Sequence, residues 1–311
     1  MGKTLITGIT GLVGSQFNGN IIGMNSSLCD LRDKSQSDEF IRYYSDKSIH
    51  GKNAINKIIH CAGKVGGIGS NINYMGEYFY DNIMINTNII ESAKNYGIEK
   101  FVGFLSTCIF PDNIDTPLNE KHIHYGPPHI SNYGYAYSKR MIDIQIRAYR
   151  EQYGLKYTSV IPTNIYGPND NFNINNGHVI PSIIHKCYLA RENKTNLTIW
   201  GSGKPLREFI YSKDVAFLSN WVLENYDDSE PIILSTSEQI SISDIVELIV
   251  KTMNFKGRVI FDKEKPDGQL RKKTDNTKLK NLLPNYQFTP FETGIIETID
   301  WFEKNINNIR K

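Results

Sequence analysis

Residues 3–14 read Lys3-Thr4-Leu5-Ile6-Thr7-Gly8-Ile9-Thr10-Gly11-Leu12-Val13-Gly14, and this stretch decides the fold. Lys3–Thr7 is a short β-rich run that feeds directly into glycines at 8, 11 and 14. A turn this tight needs residues that tolerate positive φ, and a backbone that must approach a pyrophosphate cannot carry side chains there. The three glycines therefore have separate duties, and a helix starting at the third would present its N-terminus to the phosphates. Only Ser15 to Asn20 separates Gly14 from the next apolar run, Ile21-Ile22-Gly23-Met24, so that helix is expected to be truncated to barely two turns.

Two further runs read as buried strands, residues 56–61 (NKIIHC) and 100–106 (KFVGFLS), with helical periodicity over Asp81 to Tyr96 between them. The order strand, helix, strand predicts an α/β fold, a doubly wound parallel (Rossmann) sheet. A smaller C-terminal α+β lobe for the substrate is expected after it. The expected division is 1–167 for the dinucleotide-binding part and mainly 168–311 for the substrate lobe. Segments near 205–237, Pro231 to Ser235 among them, return to the first part. Helices are expected over Ser243 to Asn254 and Phe291 to Asn305.

The 311 residues are 40% hydrophobic and 22% charged, enough for a deep cleft in a large core. A net charge of +2, from 35 basic and 33 acidic side chains, gives no global field toward nucleic acid or a membrane. No apolar run approaches the ~20 residues of a bilayer span, and the first residues lack signal-peptide architecture, so a cytoplasmic protein is expected. Cys29, Cys61, Cys108 and Cys187 show no CxxC spacing or paired framework, which fits a reducing compartment and argues against a metal site.

Ser106 ends a strand run, and Tyr135-Ala136-Tyr137-Ser138-Lys139 opens a helical one. Tyr135 and Lys139 lie four apart, on one helix face. A lysine ammonium near a phenol lowers the phenol's pKa and lets it exchange a proton with a carbonyl oxygen, to which Ser106 can give a second hydrogen bond. The same spacing also suits a plain amphipathic helix face. The order glycine turn, strand-terminal serine, Tyr-x-x-x-Lys favours the reactive reading.

TGITGLVG (7–14), Ser106, YAYSK (135–139) and PTNIYGP (162–168) together resemble the extended short-chain dehydrogenase/reductases that modify nucleotide sugars. HCAGKVGGI (60–68), STCIFP (106–111), NGHVIP (176–181), WGSG (200–203), REF (207–209) and KPDG (265–268) bring the likeness closer, to epimerase-reductases that make GDP-L-fucose from GDP-4-keto-6-deoxy-D-mannose. The matches run in order over nearly the whole chain. The resemblance implies epimerisation at C3 and C5 followed by reduction at C4, with Ser106, Cys108, Tyr135, Lys139 and His178 as the catalytic set. In it Cys108 is the base, and His178 is the acid that returns a proton from the other face.

For the cofactor the resemblance implies Gly8, Thr10, Gly11, Leu12, Val13, Gly14, Asp30, Leu105, Ser106, Lys139, Pro162, Asn164, Ile165 and His178, and it implies NADPH. The residues themselves leave NADH open, because Thr10 stands in the glycine turn and Met24-Asn25-Ser26-Ser27 ends the second strand, with no base at either place. For the substrate, a GDP-linked sugar, the resemblance implies Lys186, Trp200, Arg207 and Asp267, and Lys186, Arg207 and Arg271 are the candidate cations. Phosphates demand such cations. A homodimer through the helices near 81–96 and 133–152 is expected by analogy. The rivals are an epimerase-reductase or reductase for another 4-keto-6-deoxy sugar nucleotide, of the rhamnose type, and a non-catalytic dinucleotide sensor, which could dispense with Tyr135 and Lys139.

Overall fold

The computed structural model describes residues 2–265 and 270–310. Its strands are β1 (Lys3–Thr7), β2 (Ile21–Met24), β3 (Ile55–His60), β4 (Lys100–Phe104), β5 (Lys156–Pro162), β6 (Asn164–Tyr166), β7 (Leu197–Trp200), β8 (Leu206–Tyr211), β9 (Ile232–Leu234), β10 (Gln239–Ser241) and β11 (Val259–Asp262). Six of them form one sheet in the order β2-β1-β3-β4-β5-β9, and every pairing in it is parallel. The order turns back between β1 and β3, the switch point outside whose carboxyl ends ligands bind in open α/β sheets.

Both faces of this sheet are covered, which is why its strands read as nearly continuous apolar runs. Successive side chains go to opposite faces. Leu5, Ile58 and Phe101 pack with Ile41, Ile89, Ile142 and Ile146 beneath the Lys34–Ser45, Met75–Asn95 and Tyr133–Tyr153 helices. Their neighbours Ile6, Ile59 and Val102 pack with Val215, Leu218 and Val222 of the Ser212–Asn225 helix on the other face. The expected strand near 231–235 is β9, which closes the sheet against β5.

A second core lies under two smaller sheets, β10-β8-β6 and β11-β7. Ile180, Ile184, Ile245, Ile249, Ile295 and Phe302 fill it from the Val179–Glu192, Ile242–Thr252 and Phe291–Asn305 helices.

Two expectations are corrected. The glycine turn is followed only by a 3₁₀ turn, Gly14–Gln16, so the phosphate-facing end is built from turn amides and carries no α-helical dipole. Asn18-Gly19-Asn20 then turns the chain straight into β2, leaving no room for further helix. The helix expected from Asp81 begins at Met75. Its first turns turn Phe79 and Tyr80 outward, 43% and 61% exposed, so they carry no buried apolar stripe to be read.

Candidate active site

β1 delivers the chain to Gly8 with φ +67°, the left-handed region where glycine has no Cβ penalty. The turn then folds so tightly that a Cβ on residue 14 would lie 2.1 Å from the Gly8 carbonyl oxygen. The Ile9 amide donates to the Met24 carbonyl (3.0 Å), tying the turn to the end of β2. The surface left is bare backbone at the switch point, a shape that fits a dinucleotide pyrophosphate.

A buried relay joins this turn to the Tyr133–Tyr153 helix. Ala62 N–H donates to Thr7 Oγ1 (3.1 Å), which lies 2.8 Å from His60 Nδ1. His60 Nε2 meets Asn86 Oδ1 at 3.1 Å, and Asn86 Nδ2 donates to the Ser138 carbonyl (3.3 Å). His60 is fully buried, and burial, aided by the Lys139 ammonium, pushes its pKa down to about 3. A neutral imidazole has one donor and one acceptor, so here Thr7 donates to Nδ1 and Nε2–H donates to Asn86. The relay fixes the helix that carries Tyr135 and Lys139 against the end of β1.

Ser106 lies just past β4, and its Oγ accepts from the Cys108 amide (3.4 Å). The same hydroxyl acts on the Cys108 thiol and the Tyr135 phenol, so the three polar groups form one cluster. Burial pushes the thiol up, against the downward pull of Ser106 and of the Lys272 and Lys139 ammoniums. Lys139 is 3% exposed, and its Nζ lies 6.0 Å from the centroid of the Tyr135 ring. Burial pushes its pKa down to about 8. A Cβ at Gly63 would stand 3.3 Å from this ammonium and 3.1 Å from Asn82 Oδ1, so the bare backbone there gives the lysine its path.

The lysine effect expected on the phenol is overruled. Burial, followed by the field of Cys108 and Tyr78, pushes Tyr135 up. The phenol therefore holds its proton firmly.

All these groups line one cleft of about 1620 Å³ between the sheet edge and the second core. Every described candidate is on its wall: the glycine turn, Asp30, Leu105, Ser106, Cys108, Tyr135, Lys139, Pro162, Asn164, Ile165, His178, Lys186, Trp200, Arg207 and Arg271. Asp267 lies outside the described residues. At the far end Trp200 is 59% exposed, with Lys186 Nζ 4.9 Å and Lys265 Nζ 5.7 Å from its ring centroid, an open aromatic surface beside two cations. Arg271 Nε donates to Gln239 Oε1 (2.7 Å).

Lys272 was not singled out from the sequence. It lines the cleft facing Cys108 and Arg207, and burial with the Arg207 charge pushes its ammonium down. Asp170 is a second such residue, a buried carboxyl on the wall pushed up by burial against the pull of His178. Neither belongs to a motif used above, and only the fold turns them inward.

A glycine turn at the switch point and a Ser–Tyr–Lys set at the carboxyl edge of a parallel sheet define a nicotinamide-dependent reductase of the short-chain dehydrogenase class. The model of the NAD dependent epimerase/dehydratase family matches residues 4–235. A GDP-L-fucose synthase of Dictyostelium discoideum is 48% identical over 99% of this chain and 97% of its own length, and a probable GDP-L-fucose synthase of Drosophila melanogaster is 40% identical over the whole of both. The crystal structure of a GDP-L-fucose synthetase from Naegleria fowleri bound to NADP superposes with a TM-score of 0.89, at 41% identity, covering 99% of this chain and 94% of that one. The chain belongs to the NAD dependent epimerase/dehydratase family and, within it, to the GDP-L-fucose synthase group.

Proposed function

We propose that the chain makes GDP-L-fucose from GDP-4-keto-6-deoxy-D-mannose, by epimerisation at C3 and C5 and reduction of C4 with NADPH. The observation that carries this reading is the convergence of Ser106, Cys108, Tyr135 and Lys139 on one end of a cleft that continues to His178, Lys186, Trp200 and Arg207. NADPH is proposed to lie along the glycine turn, Asp30, Leu105, Lys139 and the 162–165 stretch, and when bound it supplies the hydride for C4.

Within this reading Tyr135 and Ser106 hold the C4 oxygen, and their hydrogen bonds stabilise the charge that builds there when a proton leaves C3 or C5. Cys108 Sγ removes that proton, and His178 returns one from the opposite face of the ring. Tyr135 then gives its hydroxyl proton to the C4 oxygen. The ammonium of Lys139 offsets the phenolate left behind. Lys186, Arg207, Arg271 and Lys272 meet the diphosphate, and Trp200 offers its face to the guanine. Asp267, between Lys265 and Arg271 in sequence, is proposed to join the substrate contacts.

We place the dinucleotide part in 1–167 with its returning segments and the substrate lobe mainly in 168–311. A homodimer is proposed through the Met75–Asn95 and Tyr133–Tyr153 helices, which leave Phe79, Tyr80, Ile144 and Tyr153 exposed. Light scattering on the purified chain tests it, with a monomeric mass as the adverse result. A cytoplasmic location is proposed. Among the described residues no helix is long and apolar enough to cross a membrane.

The direct test incubates the protein with GDP-4-keto-6-deoxy-mannose and NADPH or NADH, following absorbance at about 340 nm and identifying the product by NMR. GDP-L-fucose is the expected product. Consumption only of a UDP- or dTDP-linked 4-keto sugar would overturn the substrate assignment, and binding of dinucleotide without turnover of any would revive a sensor.

A further inference from the structure

Glu208 is a carboxylate 1% exposed that the proposed chemistry does not use. It sits on β8 beside Arg207, and the alternation of a strand sends Arg207 to the cleft and Glu208 inward. Its Oε1 accepts from the Thr274 amide (3.0 Å), and its Oε2 accepts from the hydroxyls of Ser235 (2.9 Å) and Thr274 (2.5 Å). Its main-chain carbonyl accepts from Asn164 Nδ2 (2.8 Å). One side chain thus ties β8 to the residue following β9 and to the segment 270–274.

Burying a carboxylate is costly unless donors surround it, and apolar residues would hold the same segments at lower cost. What directed hydrogen bonds add is register. Backbone bonds grip the segment on either side: Leu206 N–H donates to the Leu270 carbonyl (2.9 Å), Leu118 N–H to the Lys273 carbonyl (2.8 Å) and Asp275 N–H to the Leu118 carbonyl (2.7 Å). Between those grips stand Arg271 and Lys272. A parallel bridge pairs Leu206 with Arg271, so the next residues along, Arg207 and Lys272, run side by side on the cleft wall.

We propose that Glu208 is a positioning residue for the substrate diphosphate, fixing Lys272 against Arg207 through Thr274. The inference rests on the nucleoside diphosphate sugar reading given above. Because Glu208 reaches the substrate only through Lys272 and Arg207, its loss should appear in substrate affinity and leave the affinity for NADPH in place.

The experiment uses the full chain with Glu208→Gln, Thr274→Val, Thr274→Ser and Lys272→Met. It reads KM for the sugar nucleotide and for NADPH, kcat, the Kd of GDP alone by calorimetry, and thermal unfolding. Glu208→Gln and Thr274→Val should each raise substrate KM and GDP Kd about tenfold, with NADPH KM changed by less than about twofold. Thr274→Ser keeps the hydroxyl and should behave as the parent. In a Lys272→Met background Glu208→Gln should add less than about twofold, since the two act through one contact. Lower thermal stability with unchanged KM and GDP Kd overturns the inference, as do fully additive effects with Lys272→Met. If the parent binds GDP but turns over no GDP-linked 4-keto sugar, the assigned activity fails and the GDP Kd values alone decide the clamp. A parent chain that does not bind GDP overturns both.

Discussion

The Gly8 carbonyl oxygen occupies the place where a side chain on residue 14 would begin, 2.1 Å from that Cβ position. The obstacle is backbone and cannot rotate away. Gly14→Ala should therefore cost about 1–3 kcal/mol of stability, in the range of overpacked cores, and weaken dinucleotide binding in step. Urea unfolding and a fluorescence titration with NADPH check it, and a variant equal to the parent in both would remove the turn from the cofactor site.

Tyr135 carries its proton up to high pH because burial, joined by the field of Cys108 and Tyr78, exceeds the opposing pull of Ser106. Tyr135→Phe removes that proton while leaving the ring in place. Reduction should fall by about 10²- to 10⁴-fold, the usual worth of a positioned proton donor, with NADPH affinity preserved. Near-normal single-turnover reduction would take Tyr135 out of the mechanism.

Cys108 needs help to ionise, since burial raises its pKa and the nearby ammoniums only partly compensate. Deuterium incorporation from D₂O at C3 and C5 should rise with pH as the thiolate forms, and Cys108→Ser should lower it by at least about 10²-fold. Lys272→Met removes a cation that favours the thiolate, so the rising limb should move to higher pH. A limb that stays put, or moves down, contradicts the pairing of Lys272 with Cys108.

Lys139 is pushed down to about 8, so its ammonium loses charge within the range of ordinary assays. In the proposed reaction the charged form is the useful one, and it is complete only below that value. kcat/KM for reduction, which reports the free enzyme, should therefore decline above a pH of about 8. The pH profile of reduction checks this, and a flat profile to pH 10 would contradict the burial of Lys139.

Much of the sheet and of the candidate site was legible because local signals carried it. Leu5-Ile6 and Ile58-Ile59 are runs of a strand buried on both faces, and Tyr135 with Lys139 sits on a single helix turn. The short 3₁₀ turn after Gly14 was less legible, because the length of a helix there is decided by how soon β2 must pair with β1. Lys272 lies in a run of charges with no period, and backbone pairing of that run with Leu118 and Leu206 decides which of them turns inward. The relay through His60 and Asn86 and the clamp at Glu208 join residues far apart in sequence, where single polar side chains give no pattern to read.

The last strand of the large sheet arrives late. β5 ends at Pro162, and its outer partner β9 is reached only after β6, β7, β8 and two helices. A growing chain that has emerged only part of the way between those points carries β5 as an open hydrogen-bonding edge, with Val160 and Ile161 uncovered by β9. Fragments cut short in that interval are expected to stick to one another and to engage chaperones, while chains extended past Leu234 gain their solubility in one step.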